Sequence, residues 1–331
     1  MEKIKEEVMR MPSLTKSRAA AKQGVRLGKK SIWKDKVSWQ LLLLCLPALA
    51  GYLLFNYYPM IPSMVIPFKD YKMSKGIWGS AWCGINNFKW VFTSKAILEV
   101  LRNTMLYGLW FLFVGPVTNM ILALFLFEIT NRKTLKFYQT VFSFPNFMSM
   151  VIVGYITYAI IGPRNGVLNA IITAFGGEPI DVYMKKEAWP LILTIVNIWK
   201  GVGMGSMMYF ASLMGIDTSL YEAAEIDGAG RFQKMRYISI PHLIPLVCIF
   251  SIMNVGTLVS GNFDLYYIIP RHSTAVYETT EVMSTYIYTA LKDARYQQGS
   301  AIGLLQSFAS LILVVSSNAI IRKVSPENSL F

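Results

Sequence analysis

Six stretches of mostly apolar residues, near 39–58, 103–128, 137–162, 189–214, 241–262 and 300–321, constrain this chain more than anything else in it. Wound as an α-helix, about 20 apolar residues cross the hydrocarbon of a bilayer. Inside that layer only a helix or a closed barrel satisfies its own backbone polar groups. The chain is therefore predicted to be an all-α membrane protein with six transmembrane helices, and an even number of spans places both termini on one side. A mean hydropathy of +0.41, with 54% hydrophobic and 15% charged residues, excludes an ordinary soluble domain.

The formal charge of +13 raises the question of nucleic acid, and the positions of the basic residues answer it. Residues 1–37 form a basic tail, Arg132, Lys133 and Lys136 share one short connection, and Arg231, Lys234 and Arg236 share another. Arg322 and Lys323 follow the last run. Excess positive charge marks the cytoplasmic side of a membrane protein, so both termini are predicted to be cytoplasmic and the partner of the charge is the lipid bilayer, not nucleic acid. Lys69, Lys72, Lys75, Lys89 and Lys95 crowd the first outer connection and run against the rule. No small-residue cleavage site follows the first apolar run, which is read as a retained anchor and not as a signal peptide.

Pro116, Pro145, Gly201, Gly203, Gly205 and Gly256 interrupt the runs and permit kinks and close helix approach. Lys200 sits near the middle of the fourth run, where an ammonium must snorkel, pair or meet water. Cys45, Cys83 and Cys248, with His242 and His272, show neither a disulfide framework nor metal-ligand spacing. No Gly-x-x-x-x-Gly-Lys-Ser/Thr phosphate loop occurs.

Between the fourth and fifth runs, Asp217 to Phe232 reads as a short helix. Ser219 followed three residues on by Glu222 is a capping-box pair, which predicts a start near Ser219. Ala223 and Ala224 give a smooth face, Leu220 and Tyr221 supply apolar contacts, and Gly228 and Gly230 supply the turn out. A basic helical stretch, 231–237, leads on to Ile238, Pro241 and the next run.

These residues resemble the signature of the permease subunits of binding-protein-dependent ABC importers: Glu-Ala-Ala, three residues, Gly, nine residues, Ile, one residue, Leu-Pro. The chain carries Glu222, Ala223, Ala224, Gly228, Ile238 and Pro241, with Ile240 in place of Leu. Gly84-Ile85-Asn86-Asn87-Phe88 followed by Asn103-Thr104 is similar to the sugar-permease pattern of that family. Tyr58-Pro59, Phe68-Lys69-Asp70-Tyr71 and the stretch Gly76 to Trp82 resemble its oligosaccharide and polysaccharide branch.

The resemblance implies a type I ABC importer permease fold in a bacterial plasma membrane, with a permease domain at 38–331, a core near 99–322 and a coupling segment near 215–241. It implies a cytoplasmic coupling helix whose working residues are Ser219, Tyr221, Glu222, Ala223, Ala224, Asp227, Gly228, Ile238 and Pro241. The implied partners are a homologous second permease, two ATPase subunits, an extracellular solute-binding protein and an oligosaccharide. ATP and Mg would be held by the ATPase, with no cofactor on this chain and no enzymatic step of its own. A sugar path needs polar groups and aromatic faces, which nominates Tyr155, Tyr158, Asn197, Trp199, Asn254 and Gln306. Interhelical hydrogen bonding without a ligand is the plainer role for each. Two other transport cargoes, a peptide or a polyamine, share the coupling signature. A multispan membrane enzyme such as a glycosyltransferase would need a carboxylate or histidine cluster near one face, and a receptor-like protein would have no use for the docking helix.

Overall fold

The computed structural model describes residues 36–324. The predicted tail, 1–37, lies outside the described residues apart from Lys36 and Val37. The chain divides between Ile61 and Pro62 into two units. In the first unit, α1 (Lys36–Tyr52) runs into a π-turn at Leu53–Tyr57. Residues 39–50 are all exposed, including Leu41, Leu43 and Leu44. A helix apolar on every side and covered on none is suited to lipid.

The helical path that starts at Trp39 extends to Phe68, through α2 (Tyr58–Val65). After it, a two-stranded antiparallel hairpin pairs β1 (Lys69–Asp70) with β2 (Ala81–Trp82), Lys69 opposite Trp82. Lys69 is buried there: its ammonium donates to the carbonyls of Ile77 at 2.8 Å and Trp78 at 3.1 Å and lies 5.1 Å from the Trp82 ring centre. At least one lysine of the outer connection is therefore a structural fastener, which removes part of its conflict with the charge rule. Helix α3 (Asn86–Thr93) follows.

The second span is α4 (Lys95–Phe127), longer than the predicted run because its amino-terminal turns are polar. The third run is not one straight helix. Helix α5 (Arg132–Ser143), continued by the 3₁₀ turn Phe144–Phe147, meets helix α6 (Met150–Ile161) at a bend of 99°. Pro145 sits in the intervening 3₁₀ turn, and Ser149 caps α6 by accepting the Ile152 amide at 3.4 Å. The third predicted run is thus a broken pair of helices that passes for a span only when taken together: apolar character continues through the break, but the backbone restarts.

After α7 (Val167–Ala174), the fourth span is α8 (Trp189–Leu213). Lys200 on α8 donates to the Asn146 carbonyl at 3.0 Å, so the intramembrane ammonium closes the break between α5 and α6. Gly203 makes this crossing possible, since an added Cβ would collide with the backbone carbonyl of Phe142. The short α9 (Thr218–Ile226) precedes a fifth span, Arg231–Val255, whose main part is α10 (Ile240–Val255). The predicted run to residue 262 ends early: residues 256–260 are turns, and Gly261 at φ +66° reverses the chain into α11 (Phe263–Ile268). Helices α12 (Met283–Lys292) and α13 (Tyr296–Val324) complete the unit. Among the described residues, five helices are long and apolar enough to cross a membrane, six with the bent pair counted as one.

Side-chain clasps hold the end of this unit that carries α11 and α12. Asn103 donates to the carbonyls of Glu278 at 2.9 Å and Glu281 at 3.1 Å, and the Thr104 hydroxyl accepts the Met283 amide at 2.9 Å. Asn87 donates to the carbonyls of Pro67 and Lys69 at 2.8 and 3.1 Å, beside Gly84 at φ +61°. Residues singled out in the sequence as a pattern are thus fasteners for irregular backbone, whose carbonyls would otherwise be unsatisfied.

Candidate functional site

Three features of the second unit carry polar chemistry: the helix between the fourth and fifth spans, a cavity among the spans, and an open groove beside α6. The helix comes first. Asp217, not Ser219, caps α9: its carboxylate accepts the Ser219 amide at 3.0 Å, and that bond, with a further one from the Ser219 hydroxyl, holds the carboxyl below its usual range. The expected capping box is corrected for this reason, because Ser219 already serves as a donor within the first turn.

Gly228 at φ +80° ends α9, with the Gly228 amide on the Glu225 carbonyl at 3.0 Å and the Ala229 amide on the Ala224 carbonyl at 2.8 Å. Only glycine enters this conformation without strain. On its inner side α9 is held by Tyr221, whose hydroxyl shares a hydrogen bond of 2.9 Å with buried Ser239 and whose ring lies 5.8 Å from that of Phe127. Ile238, Ile240 and Met235 pack with it against a core of Leu124, Tyr209, Leu213, Ile216 and Leu243. Glu225 pairs with Lys234 at 3.2 Å. Glu222 and Asp227 have no ion-pair partner among the described residues, and Ile226 is 88% exposed and Phe232 73%. Of the sequence-nominated set, Tyr221 and Ile238 therefore face the spans, Ala224 is half-buried, and Ser219, Glu222, Ala223, Asp227, Gly228 and Pro241 are exposed.

The cavity, of about 650 Å³, lies between α4, α8, α10 and the 256–266 reversal, and its size is that of a small-molecule site. Asn197 and Asn254 both line it, together with Asn119, Asn262, Ser260 and Thr257. Asn254 donates back to the Phe250 carbonyl at 2.8 Å, and the Asn262 side-chain oxygen Oδ1 caps α11 by accepting the Leu265 amide. Asn119 and Asn197 make no side-chain hydrogen bond among the described residues, so both amides are available to an occupant. Gly205 faces Asn119 so closely that an added Cβ would strike the amide. Tyr107 and Tyr266, ring centres 4.9 Å apart, form an aromatic wall. Asn119, Tyr107, Tyr266 and Asn262 were missed by the sequence reading; an asparagine inside an apolar run was the available signal for the first.

The remaining nominations lie elsewhere. Tyr155 borders a groove of about 310 Å³ with Arg271 and His272, and Tyr158 stacks under Arg271. Trp199 is 41% exposed and borders neither space. Gln306, on α13, keeps a buried side-chain oxygen without a hydrogen-bond partner and does not line the cavity. The six candidates therefore do not form one site: Asn197 and Asn254 line the cavity, Tyr155 lines the groove with Tyr158 beneath its Arg271, and Trp199 and Gln306 line neither.

Comparison with known proteins agrees along nearly the whole chain. Residues 76–329 match the family model for the binding-protein-dependent transport system inner membrane component. The polygalacturonan/rhamnogalacturonan transport system permease protein YteP of Bacillus subtilis (strain 168) is 34% identical over 87% of this chain and 89% of its own. Protein LplB of the same organism is 32% identical over 87% and 90%. Among solved structures, a chain of a bacterial ABC transporter involved in the import of the acidic polysaccharide alginate superposes with a TM-score of 0.79 at 30% identity, covering 89% of this chain and 99% of that one. The alginate transporter in complex with an alginate pentasaccharide-bound periplasmic protein gives 0.78 at 28% identity, covering 90% and 99%.

Proposed function

Because the chain belongs to the inner membrane components of binding-protein-dependent transport systems, we propose that it is the permease subunit through which oligosaccharides, delivered by a solute-binding protein, cross a bacterial membrane. The observation that carries the sugar reading is the cavity between the spans: free carboxamides at Asn119 and Asn197 beside the Tyr107–Tyr266 wall offer hydrogen bonds to hydroxyls and faces to pyranose rings. The names of its relatives, which refer to polygalacturonan, rhamnogalacturonan and alginate, support the same class of cargo.

Helix α9 supplies the energy input in this reading. Its exposed face, with Glu222, Asp227 and Ile226, docks on an ATPase subunit, and its inner face, through Tyr221 and Ser239, passes that subunit's motion to the fifth span. ATP and Mg stay on the ATPase, and this chain carries no cofactor. Two ATPase subunits and a second, homologous permease complete the assembly. Both termini and α9 lie on the cytoplasmic side, and the 256–295 segment faces the binding protein. Alternating access then follows from differential binding: the loaded receptor and ATP favour the outward-open state, and hydrolysis restores the inward-open one.

The test is a pull-down of candidate ATPases by the solubilised chain, wild type against Glu222→Arg, followed by ATPase assay in lipid with receptor and oligosaccharides. Capture by the wild type alone, with stimulation by a saccharide-loaded receptor, is the expected result. Equal capture by both proteins would remove α9 from the docking role, and stimulation by a peptide or polyamine instead would replace the cargo.

A further inference from the structure

The groove beside α6 is built around Arg271, a cation with no ion-pair partner among the described residues. Arg271 and His272 stand in succession at φ +54° and +56°, a left-handed conformation that side-chain-bearing residues rarely adopt. The turn is pinned by the Ser273 amide on the Pro270 carbonyl at 3.1 Å and by the Ser273 hydroxyl on the Tyr183 carbonyl at 3.1 Å. Tyr183 itself packs against Tyr158 and Trp189, with ring centres 5.7 and 5.1 Å away. The result is a guanidinium carbon 4.1 Å from the Tyr158 ring centre and 5.9 Å from that of Tyr155.

Stacked in this way, an arginine keeps its N–H edge free for a planar acceptor. Among the described residues no carboxylate pairs with Arg271 and no oxygen accepts from its side chain. Gly154 lets α6 approach this turn, since an added Cβ would lie 2.9 Å from the Ile268 side chain. Tyr155 is 66% exposed and presents an uncovered ring beside the guanidinium. Burial first, and then the Lys292 ammonium, hold His272 below its usual range.

We propose that Arg271, seated on Tyr158 beside the open ring of Tyr155, is a subsite that reads the carboxylate of a uronic acid unit in the oligosaccharide. The guanidinium takes the carboxylate through paired N–H bonds, and Tyr155 covers the C–H face of the same sugar ring. A neutral sugar fills the ring position and leaves the guanidinium unsatisfied, which makes the groove selective as well as adhesive. The groove lies at the end of the unit opposite α9, where cargo is received before it enters the cavity. This inference rests on the oligosaccharide reading and narrows it to acidic cargo.

The experiment is direct binding to the complete transporter in phosphatidylcholine nanodiscs, without the binding protein, so that neither receptor selectivity nor anionic headgroups intrude. The probes are a short oligogalacturonide and the same oligomer after carboxyl reduction. The wild type is expected to prefer the acidic oligomer by about tenfold or more, Arg271→Ala to lose that preference, and Arg271→Lys to keep part of it. Equal affinity of the wild type for both oligomers, or a preference that survives Arg271→Ala, overturns the proposal. So does loss of the second permease from the Arg271→Ala complex on size exclusion, which would make Arg271 an intersubunit contact. If the wild type binds neither oligomer while a saccharide-loaded receptor still stimulates its ATPase, only this subsite falls. If no saccharide-loaded receptor stimulates it, the oligosaccharide reading falls first.

Discussion

At the end of the second unit that carries α9, one hydroxyl pair, Tyr221 with Ser239, one exposed ion pair, Glu225 with Lys234, and an apolar seat of leucines and isoleucines join the helix to the spans. At the opposite end, polar side chains cross-link irregular backbone: Asn103 to two carbonyls, Tyr107 to the Thr279 carbonyl at 2.8 Å, Thr279 to the Lys186 carbonyl at 2.8 Å, and Lys186 to Glu278 at 2.6 Å. Apolar contact is non-directional and tolerates sliding, whereas a set of aimed hydrogen bonds defines one arrangement. Under the proposed function, the first end is suited to transmitting displacement and the second to holding a shape against which cargo is read.

The sharpest way to break this contrast is at the exposed face of α9. Glu222→Arg combined with Ile226→Asp is expected to reduce ATPase capture by more than about tenfold, as loss of central contacts does at interfaces. The melting temperature of the isolated chain should not move, because neither side chain is buried. A parallel fall in melting temperature would make α9 a structural element and erase the difference between the ends.

Asn103→Ala attacks the other end. It strands two carbonyls in a buried position, and the expected loss of stability in detergent is about 2 kcal/mol, with ATPase capture through α9 intact. Glu281 tests the same end by pH. Burial raises its carboxyl from the ordinary 4.5 to about 7, with Arg295 pulling the other way. An acid whose folded value lies above its unfolded one binds its proton more tightly when folded, so stability is full below about pH 4.5 and falls as pH rises towards 7. Thermal melts at pH 5 and pH 8 should differ by on the order of 1–2 kcal/mol after solvent screening of this half-buried group, and Glu281→Gln should flatten the profile.

Among the substitutions that do cost stability, Tyr221→Phe costs least, one hydroxyl at about 0.5–1.5 kcal/mol. Its effect on transport should be out of proportion: reconstituted uptake falls several-fold while ATPase capture persists, because the link to Ser239 is cut and the docking face is not. Unchanged uptake would show that the apolar seat alone carries the motion.

Much of this architecture is legible in residue order, and the exceptions have physical causes. Length and hydropathy locate the second, fourth, fifth and sixth spans because a bilayer imposes both, but hydropathy is blind to direction. The 99° bend in the third run therefore shows only through Pro145 and Ser149. The cap of α9 is misplaced by two residues, since Asp217 and Ser219 are both good caps and spacing alone cannot rank them. Asn87, Asn103 and Thr104 are recognisable as a pattern, yet their work is with Pro67, Glu278, Glu281 and Met283, most of them far away in sequence. Asn197 and Asn254 were found by polarity in apolar surroundings. Arg271 was not, because its position over Tyr158 depends on a left-handed turn that no periodicity records.

The bond from Lys200 to Asn146 has an electrical consequence. A positive charge fastened to the bend must travel with it, and a charge carried across the full membrane potential exchanges about 2.3 kcal/mol per 100 mV with the field. Any step of the cycle that shifts this bend along the membrane normal is therefore biased by voltage in proportion to the fraction of the field it crosses, so an importer driven by ATP would also respond to the energised state of its membrane.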